Sequence, residues 1–209
     1  MVPSPSLLIL DLDDTIFNTQ TIPQSTFKEA LQIIHNHVSQ SNHNPETSIR
    51  DLWSMSPFQF FKEYNTPKEI QEDFQYAIRS MNYSLDIDPF PDYNFLKSIP
   101  IRKILVTSGI KELQLAKIKA LEIEEDFEAI HIDDVHTDPH SSKENIFTSI
   151  IEKDNLIPEN IWVIGDNPES ELKAGRSLNM TCFIRTNESN KTYTNAHHIN
   201  TFEDLPLIP

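Results

Sequence analysis

The chain has 209 residues, and its 32 acidic side chains against 17 basic ones give a formal net charge of −15. That length suits one domain or a core with a smaller inserted module, and the acidity argues against a nucleic-acid backbone as partner. No apolar segment is long enough to span a membrane. The lone Cys182 rules out an intrachain disulfide, and the opening MVPSPS lacks a charged leader region, so a reducing cytoplasm is the expected setting.

Leu7, Leu8, Ile9 and Leu10 form a continuous apolar run, as expected of a parallel strand covered on both faces. The run breaks into Asp11, Asp13, Asp14 and Thr15. Asp11 and Asp13 are two apart, so in extended chain they point the same way and Asp14 points away. Converging carboxylates repel one another, and a hard cation is the usual remedy. One can then act as nucleophile or metal ligand while the other handles protons. An acid-rich turn is the bland alternative.

Residues 16–100 contain no glycine and are too many for a loop, so they read as mainly helical. Phe27, Leu31, Ile34 and Val38 follow Pro23 and Ser25 at helical spacing, and Ile70, Phe74, Ala77, Ile78 and Met81 follow Pro67. Leu52, Trp53, Phe58, Phe60 and Phe61 lie between them and read as the core of a small bundle rather than a substrate platform. Arg50, Lys62 and Arg79 are cations available to a substrate's distal group, with solvated charge as the simpler reading.

From Arg102 the pattern alternates. A strand over 103–107 precedes a helix over Lys111–Leu121 and a short strand near Glu128–Ile132. A helix over Lys143–Asp154, capped by Ser141 or Ser142, leads to strand Ile161–Ile164, helix Glu169–Leu178 and strand Thr181–Arg185. Such alternation gives a parallel sheet with right-handed crossovers. Thr107 or Ser108 then presents a hydroxyl at a strand end, and Gly109 lets the backbone turn. Lys143 opens a helix whose dipole prefers an anion, which points to a ligand-facing role. Asp166 occupies a strand-to-helix loop like that of Asp11, and ligands of open α/β sheets bind outside such strand ends. The segment HIDDVHTDPH, His131–His140, invites a transition-metal site but reads as a surface loop, leaving Asp133 or Asp134 available to line the cleft. His197 and His198 read as surface or strand residues. Thr186–Asn200 is polar and Asn-rich, as a loop would be, before a closing element near Phe202–Leu205.

Aspartate pair, hydroxyl, lysine and distal acid, spread over Leu7–Thr15 and Arg102–Thr186, resemble the four ordered motifs of the haloacid dehalogenase superfamily. By that resemblance Asp11 and Asp13 stand at the nucleophile and the general acid/base of its DxDx[TV] motif. Thr107 stands at the hydroxyl of the second motif, Lys143 at the lysine of the third, and Asp166 with Glu171 at the fourth, usually GDxxxxD. Two departures are visible. Glu171 is one methylene longer than the usual aspartate, which suits orienting a metal-bound water better than direct ligation. The third motif lacks the usual Lys-Pro pair, and a gapless alignment on Phe147 puts Ser141 at the lysine's place.

The resemblance implies an α/β fold with a Rossmann-like parallel-sheet core, residues 1–15 and 101–209, and a mainly helical cap with its linkers inserted at 16–100. It implies Mg²⁺ held by Asp11, Asp166 and the backbone carbonyl of Asp13. The family's dehalogenases lack an aspartate two after the nucleophile, whereas Asp13 supplies one. The implied activity is therefore a phosphatase acting on a nucleoside monophosphate or sugar phosphate through an aspartyl-phosphate, with Thr107, Ser108 and Lys143 on the phosphoryl group. A phosphomutase of the same family and a non-catalytic phosphate-binding or signalling protein are the rival readings. The expected partner is a small phosphate ester, with no nucleic acid or membrane, and the expected state is a monomer or small homo-oligomer.

Overall fold

The structure is a computed structural model that describes residues 4–40, 44–54, 57–134 and 142–207. Among the described residues, β1 (Leu7–Leu10), β2 (Arg102–Gly109), β3 (Ala129–Asp134), β4 (Ile161–Gly165), β5 (Thr181–Arg185) and β6 (His197–Ile199) form one sheet. All pairings are parallel, in the order β3-β2-β1-β4-β5-β6. The helices are α1 (Lys28–Ser39), α2 (Pro45–Ser54), α3 (Pro57–Glu63), α4 (Lys68–Ser80), α5 (Tyr93–Ser98), α6 (Lys111–Ala120), α7 (Lys143–Asp154) and α8 (Glu171–Ser177). No helix among the described residues is long and apolar enough to cross a membrane.

The chain divides into two compact units, one of Met1–Thr21 with Leu85–Pro209 and one of Ile22–Ser84. In the larger unit β1 lies mid-sheet and is buried throughout. Its Leu7 and Ile9 side chains join Ile104, Val106, Phe147, Val163 and Ile184 in one core cluster, each such burial contributing about 1.5–3 kcal/mol. Trp162 packs against Phe183 with ring centroids 4.6 Å apart and planes tilted by 44°. The chain returning toward β2 is pinned inside this unit. Phe90 N donates to Ile16 O at 2.8 Å, and Arg185 donates to both Asp92 oxygens at 2.9 and 3.0 Å. Phe202 N adds a bond to Asp92 at 2.7 Å, and the guanidinium lies 4.0 Å from the Phe90 ring centroid.

The smaller unit is helical. Ala30, Ile34 and Val38 recur every four residues on α1 and are buried, as are Phe74 and Ile78 of α4. Phe60 stacks on Tyr64 at 4.3 Å and Phe61 meets Phe74 edge-on at 5.5 Å. Lys62 and Arg79 are exposed. The side chains of Arg50, Trp53 and Phe58 lie outside the described residues.

Two local expectations differ from the structure. Residues 197–199 lie in the stretch Thr186–Asn200 expected to be loop, although His197 and His198 also read as surface or strand residues; they form β6 and pair with β5. The last helix starts at Glu171 instead of Glu169, because residues 168–170 are spent on a turn.

What the sheet does for function is placement. Leu10 pairs with Leu105 on one side and Ile164 on the other, so the carboxyl ends of β1, β2 and β4 share one rim. Asp11, Thr107 and Asp166 all sit on it.

Candidate active site

Asp11 extends β1 by one bond, its N–H donating to Ile164 O at 3.0 Å. After Asp13 the chain turns out of the sheet. Asp14 takes a left-handed φ of 52°, and its carboxylate accepts from Thr19 N at 2.9 Å and Thr19 Oγ1 at 2.8 Å. That turn leaves Asp11 and Asp13 facing the rim.

Lys143 opens α7, with Ser142 capping it by accepting from Asn145 N at 3.3 Å. Its ammonium donates to Asp11 Oδ1 at 2.7 Å and to Glu171 Oε2 at 2.9 Å, and it is 5% exposed. Glu171 also accepts from Asn167 N at 2.7 Å through Oε1. Gly165 makes room for it, since a Cβ there would lie 2.2 Å from Glu171 Oε1. Carboxylate oxygens of Asp11, Asp166 and Glu171 come within 4.8 Å of one another.

The electrostatics follow from burial. Desolvation pushes the Asp11 carboxyl up to about 7; the Lys143 ammonium opposes this, and the carboxylates of Glu171 and Asp13 add to it. Desolvation likewise pushes Asp166 up to about 8, helped by Asp11, Glu171 and Asp14. Burial alone would lower the Lys143 ammonium, but Asp11 and Glu171 outweigh it and hold it above its ordinary value.

Asp13, on the same rim, is held by α6 and not by Lys143. Lys117 Nζ donates to its two oxygens at 2.7 and 3.0 Å, and Gln114 Nε2 donates to Oδ2 at 2.9 Å. Gln114 Nε2 also reaches Thr107 Oγ1 at 2.6 Å. Of the two hydroxyls at the end of β2, Thr107's thus lies beside Asp13, while Ser108 donates to Asp133 Oδ2 at 3.0 Å. Asp133 and Lys143 share the wall of a cavity of about 290 Å³.

Residues 8–184 match the family described as Haloacid dehalogenase-like hydrolase. The chain belongs to this family. Among curated proteins, no sequence matches it. Among solved structures, this haloacid dehalogenase-like hydrolase is similar to CbbY from Rhodobacter sphaeroides in complex with phosphate, at 14% identity and a TM-score of 0.68, over 98% of this chain and 97% of that one. A candidate phosphoglycolate phosphatase from Lactobacillus plantarum aligns at 17% identity and 0.70, over 95% and 96%. YfnB from Bacillus subtilis bound to magnesium aligns at 15% and 0.60, over 97% of each. At these identities the likeness is one of fold.

Residues the sequence did not single out also touch the hydrolase's rim. Gln114 and Lys117 come from α6. Asn187 Nδ2 donates to Asp166 Oδ2 at 3.2 Å, and its amide is oriented because Oδ1 already accepts from Ser189 N and Oγ at 2.9 and 2.6 Å. Asn190 Nδ2 ties the same loop to Asp166 O at 2.7 Å. An Asn-rich stretch was the only signal for these. Of the His131–His140 segment, residues 135–140 lie outside the described residues, as does Ser141; the acidic group that converges among the described residues is Asp11, Asp166 and Glu171.

The donor set suits a divalent hard cation. The three converging carboxylates, two of them paired with Lys143, would carry two negative charges in excess of its ammonium once ionised. A bound cation offsets that charge, and oxygen-only donors are those Mg²⁺ prefers.

Proposed function

We propose that this hydrolase is a phosphatase that cleaves a small phosphate monoester of the nucleoside monophosphate or sugar phosphate class through an aspartyl-phosphate on Asp11. The observation that carries this reading is Asp13, a second carboxylate beside Thr107 on the same rim as the Lys143-bound Asp11. It offers a proton to an ester oxygen as that oxygen leaves, which halide displacement does not require.

Asp11 attacks phosphorus in line, and the bond from phosphorus to the ester oxygen breaks as Asp13, which enters this step in its acid form, delivers its proton to that oxygen. Asp13, now a carboxylate, takes a proton from water. The water oxygen bonds to phosphorus, the bond to Asp11 breaks, and inorganic phosphate and free Asp11 result. Lys143 spends two of its three N–H donors on Asp11 and Glu171, keeping one for a phosphoryl oxygen. Thr107 contributes its hydroxyl hydrogen, and Ser108 becomes a further phosphoryl contact by turning its hydroxyl from Asp133 to the substrate. Mg²⁺ held by Asp11, Asp166 and the backbone carbonyl of Asp13 would supply the positive charge that lets an anionic phosphoryl group approach a carboxylate. Glu171 orients this centre through Lys143. Phosphate in CbbY and magnesium in YfnB are ligands of the required chemistry. In this reading the inserted helical unit is the family's cap, with the role of selecting among phosphate esters.

The test is hydrolysis of p-nitrophenyl phosphate by the full chain with Mg²⁺, with EDTA, and by Asp11→Asn. Turnover that requires both Mg²⁺ and Asp11 supports the reading. Turnover retained in Asp11→Asn overturns it.

A further inference from the structure

Gln114 and Lys117 are three apart on α6 and so share one face, and that face is buried, the two residues being 1% and 7% exposed. A helix face against a sheet is ordinarily apolar, and burying a carboxamide and an ammonium is costly unless each is hydrogen-bonded. Both find their partners at one place. Lys117 grips the two oxygens of Asp13. Gln114 Nε2 reaches Asp13 Oδ2, Thr107 Oγ1 and, at 3.2 Å, Ser108 O.

The orientation of that amide is not arbitrary. A carboxylate and a backbone carbonyl only accept, so the amide NH₂ must face them. An NH₂ cannot accept in return, so Thr107 Oγ1 accepts, and its own hydrogen is turned elsewhere to donate. The two amide hydrogens serve three acceptors, with the longest contact, to Ser108 O, sharing one of them. Gly109 supplies the space: its φ is +151°, and a Cβ there would lie 3.1 Å from Gln114 Cδ.

We propose that Gln114 and Lys117 are positioning residues that set the direction of the Asp13 carboxylate and the polarity of the Thr107 hydroxyl, so that cleavage of esters with basic leaving groups depends on them. The inference rests on the phosphatase reading above. Protonation of the leaving oxygen matters more as that oxygen becomes more basic. p-Nitrophenolate departs without help, whereas a benzyl alkoxide needs the proton. Misdirecting Asp13 therefore harms one ester selectively, and general loss of structure harms both.

The experiment compares kcat/KM for p-nitrophenyl phosphate and benzyl phosphate, with Mg²⁺, in the full chain and in Lys117→Met, Gln114→Leu and Asp13→Asn. kcat/KM reports the steps up to phosphoryl transfer and is insensitive to later hydrolysis of the intermediate. Lys117→Met should lose about 100-fold on benzyl phosphate and less than about 10-fold on p-nitrophenyl phosphate. Adding Lys117→Met to Asp13→Asn should cost nothing further on benzyl phosphate, because the two act as a unit. Equal losses on the two esters, or losses that multiply with Asp13→Asn, overturn the inference. Should Lys117→Met lack a cooperative melt, Gln114→Leu, which keeps the ion pair, carries the same ester-selective expectation at smaller size. A wild-type chain inactive on both esters defeats the phosphatase reading itself, a distinct outcome from equal losses in an active enzyme.

Discussion

Replacing Gly165 by alanine sets a methyl group and the Glu171 carboxylate against each other in one space. The new Cβ would lie 2.2 Å from Oε1, 2.6 Å from Cδ and 2.4 Å from Cγ of Glu171. A glutamate is flexible at its far end, but this one is 1% exposed and bonded through both oxygens, to Asn167 N and Lys143 Nζ. The oxygen in the way is Oε1, so the side chain cannot move aside without giving up its bond to Asn167 N. Stranding the Asn167 N–H costs about 1–3 kcal/mol, and forcing the side chain off its rotamer costs about 1–3 kcal/mol more. Together these lower the melting temperature by roughly 10 °C at the 2–4 °C per kcal/mol of a chain this size. The assay is a double-mutant cycle by thermal melting. Glu171→Ala removes the obstacle, so adding Gly165→Ala in that background should cost less than about 1 kcal/mol. If the two losses add to within about 0.5 kcal/mol, the collision is not the cause and the reasoning fails.

Three further outcomes are expected. Lys143→Met should lower turnover of p-nitrophenyl phosphate by about 10²–10³-fold, the loss typical of removing one preorganised donor; retained turnover would remove Lys143 from the phosphoryl site. Mg²⁺ at a hundred times its dissociation constant should stabilise the wild type by about 2.7 kcal/mol, seen as a rise in melting temperature, and should leave Asp166→Ala unmoved; an equal rise in both would place the ion elsewhere. Asp92→Asn should destabilise by about 3–5 kcal/mol, the usual cost of breaking a buried ion pair. Burial pulls the Asp92 carboxyl up, but the Arg185 guanidinium and the Phe202 N–H outweigh it and hold it below the ordinary 3.8. The unfolded chain therefore takes up this proton first as pH falls. The stability Asp92 supplies is complete above 3.8 and is lost as pH drops through the lower folded value. The gap in melting temperature between wild type and Asp92→Asn should accordingly be constant near neutrality and narrow in acid; a gap that widens in acid would contradict the assignment.

The core of the fold was legible because a strand covered on both faces must be apolar at every position, and Leu7–Leu10 and Ile161–Ile164 are. Lys143 stood out for an electrostatic reason, a cation where a helix dipole favours an anion, and its ammonium does meet two carboxylates. Gln114 and Lys117 were hidden by the same logic that revealed the strands. A stripe rule assigns polar residues of a helix to solvent, yet on α6 both are buried while Leu115 is 47% exposed. Only the acceptors just beyond β1 and at the end of β2 explain this, Asp13 being 101 residues from Gln114 and Thr107 lying before an intervening turn. Asn187 was unreadable because its role depends on a loop folding back to β4, which no periodicity encodes. The β6 strand was left open between loop and strand because it is held by pairing with β5 rather than by any pattern of its own.

Phosphatase chemistry on this rim requires a covalent phosphoryl group on Asp11, and that group can be read directly. The full chain is quenched in acid during turnover of p-nitrophenyl phosphate with Mg²⁺, then treated with borohydride, which reduces an aspartyl-phosphate to homoserine. Mass spectrometry of the peptide that contains Leu7–Thr15 should find homoserine at position 11 and aspartate at positions 13 and 14. Turnover with Asp11 unmodified, or modification at another carboxylate, would contradict the account.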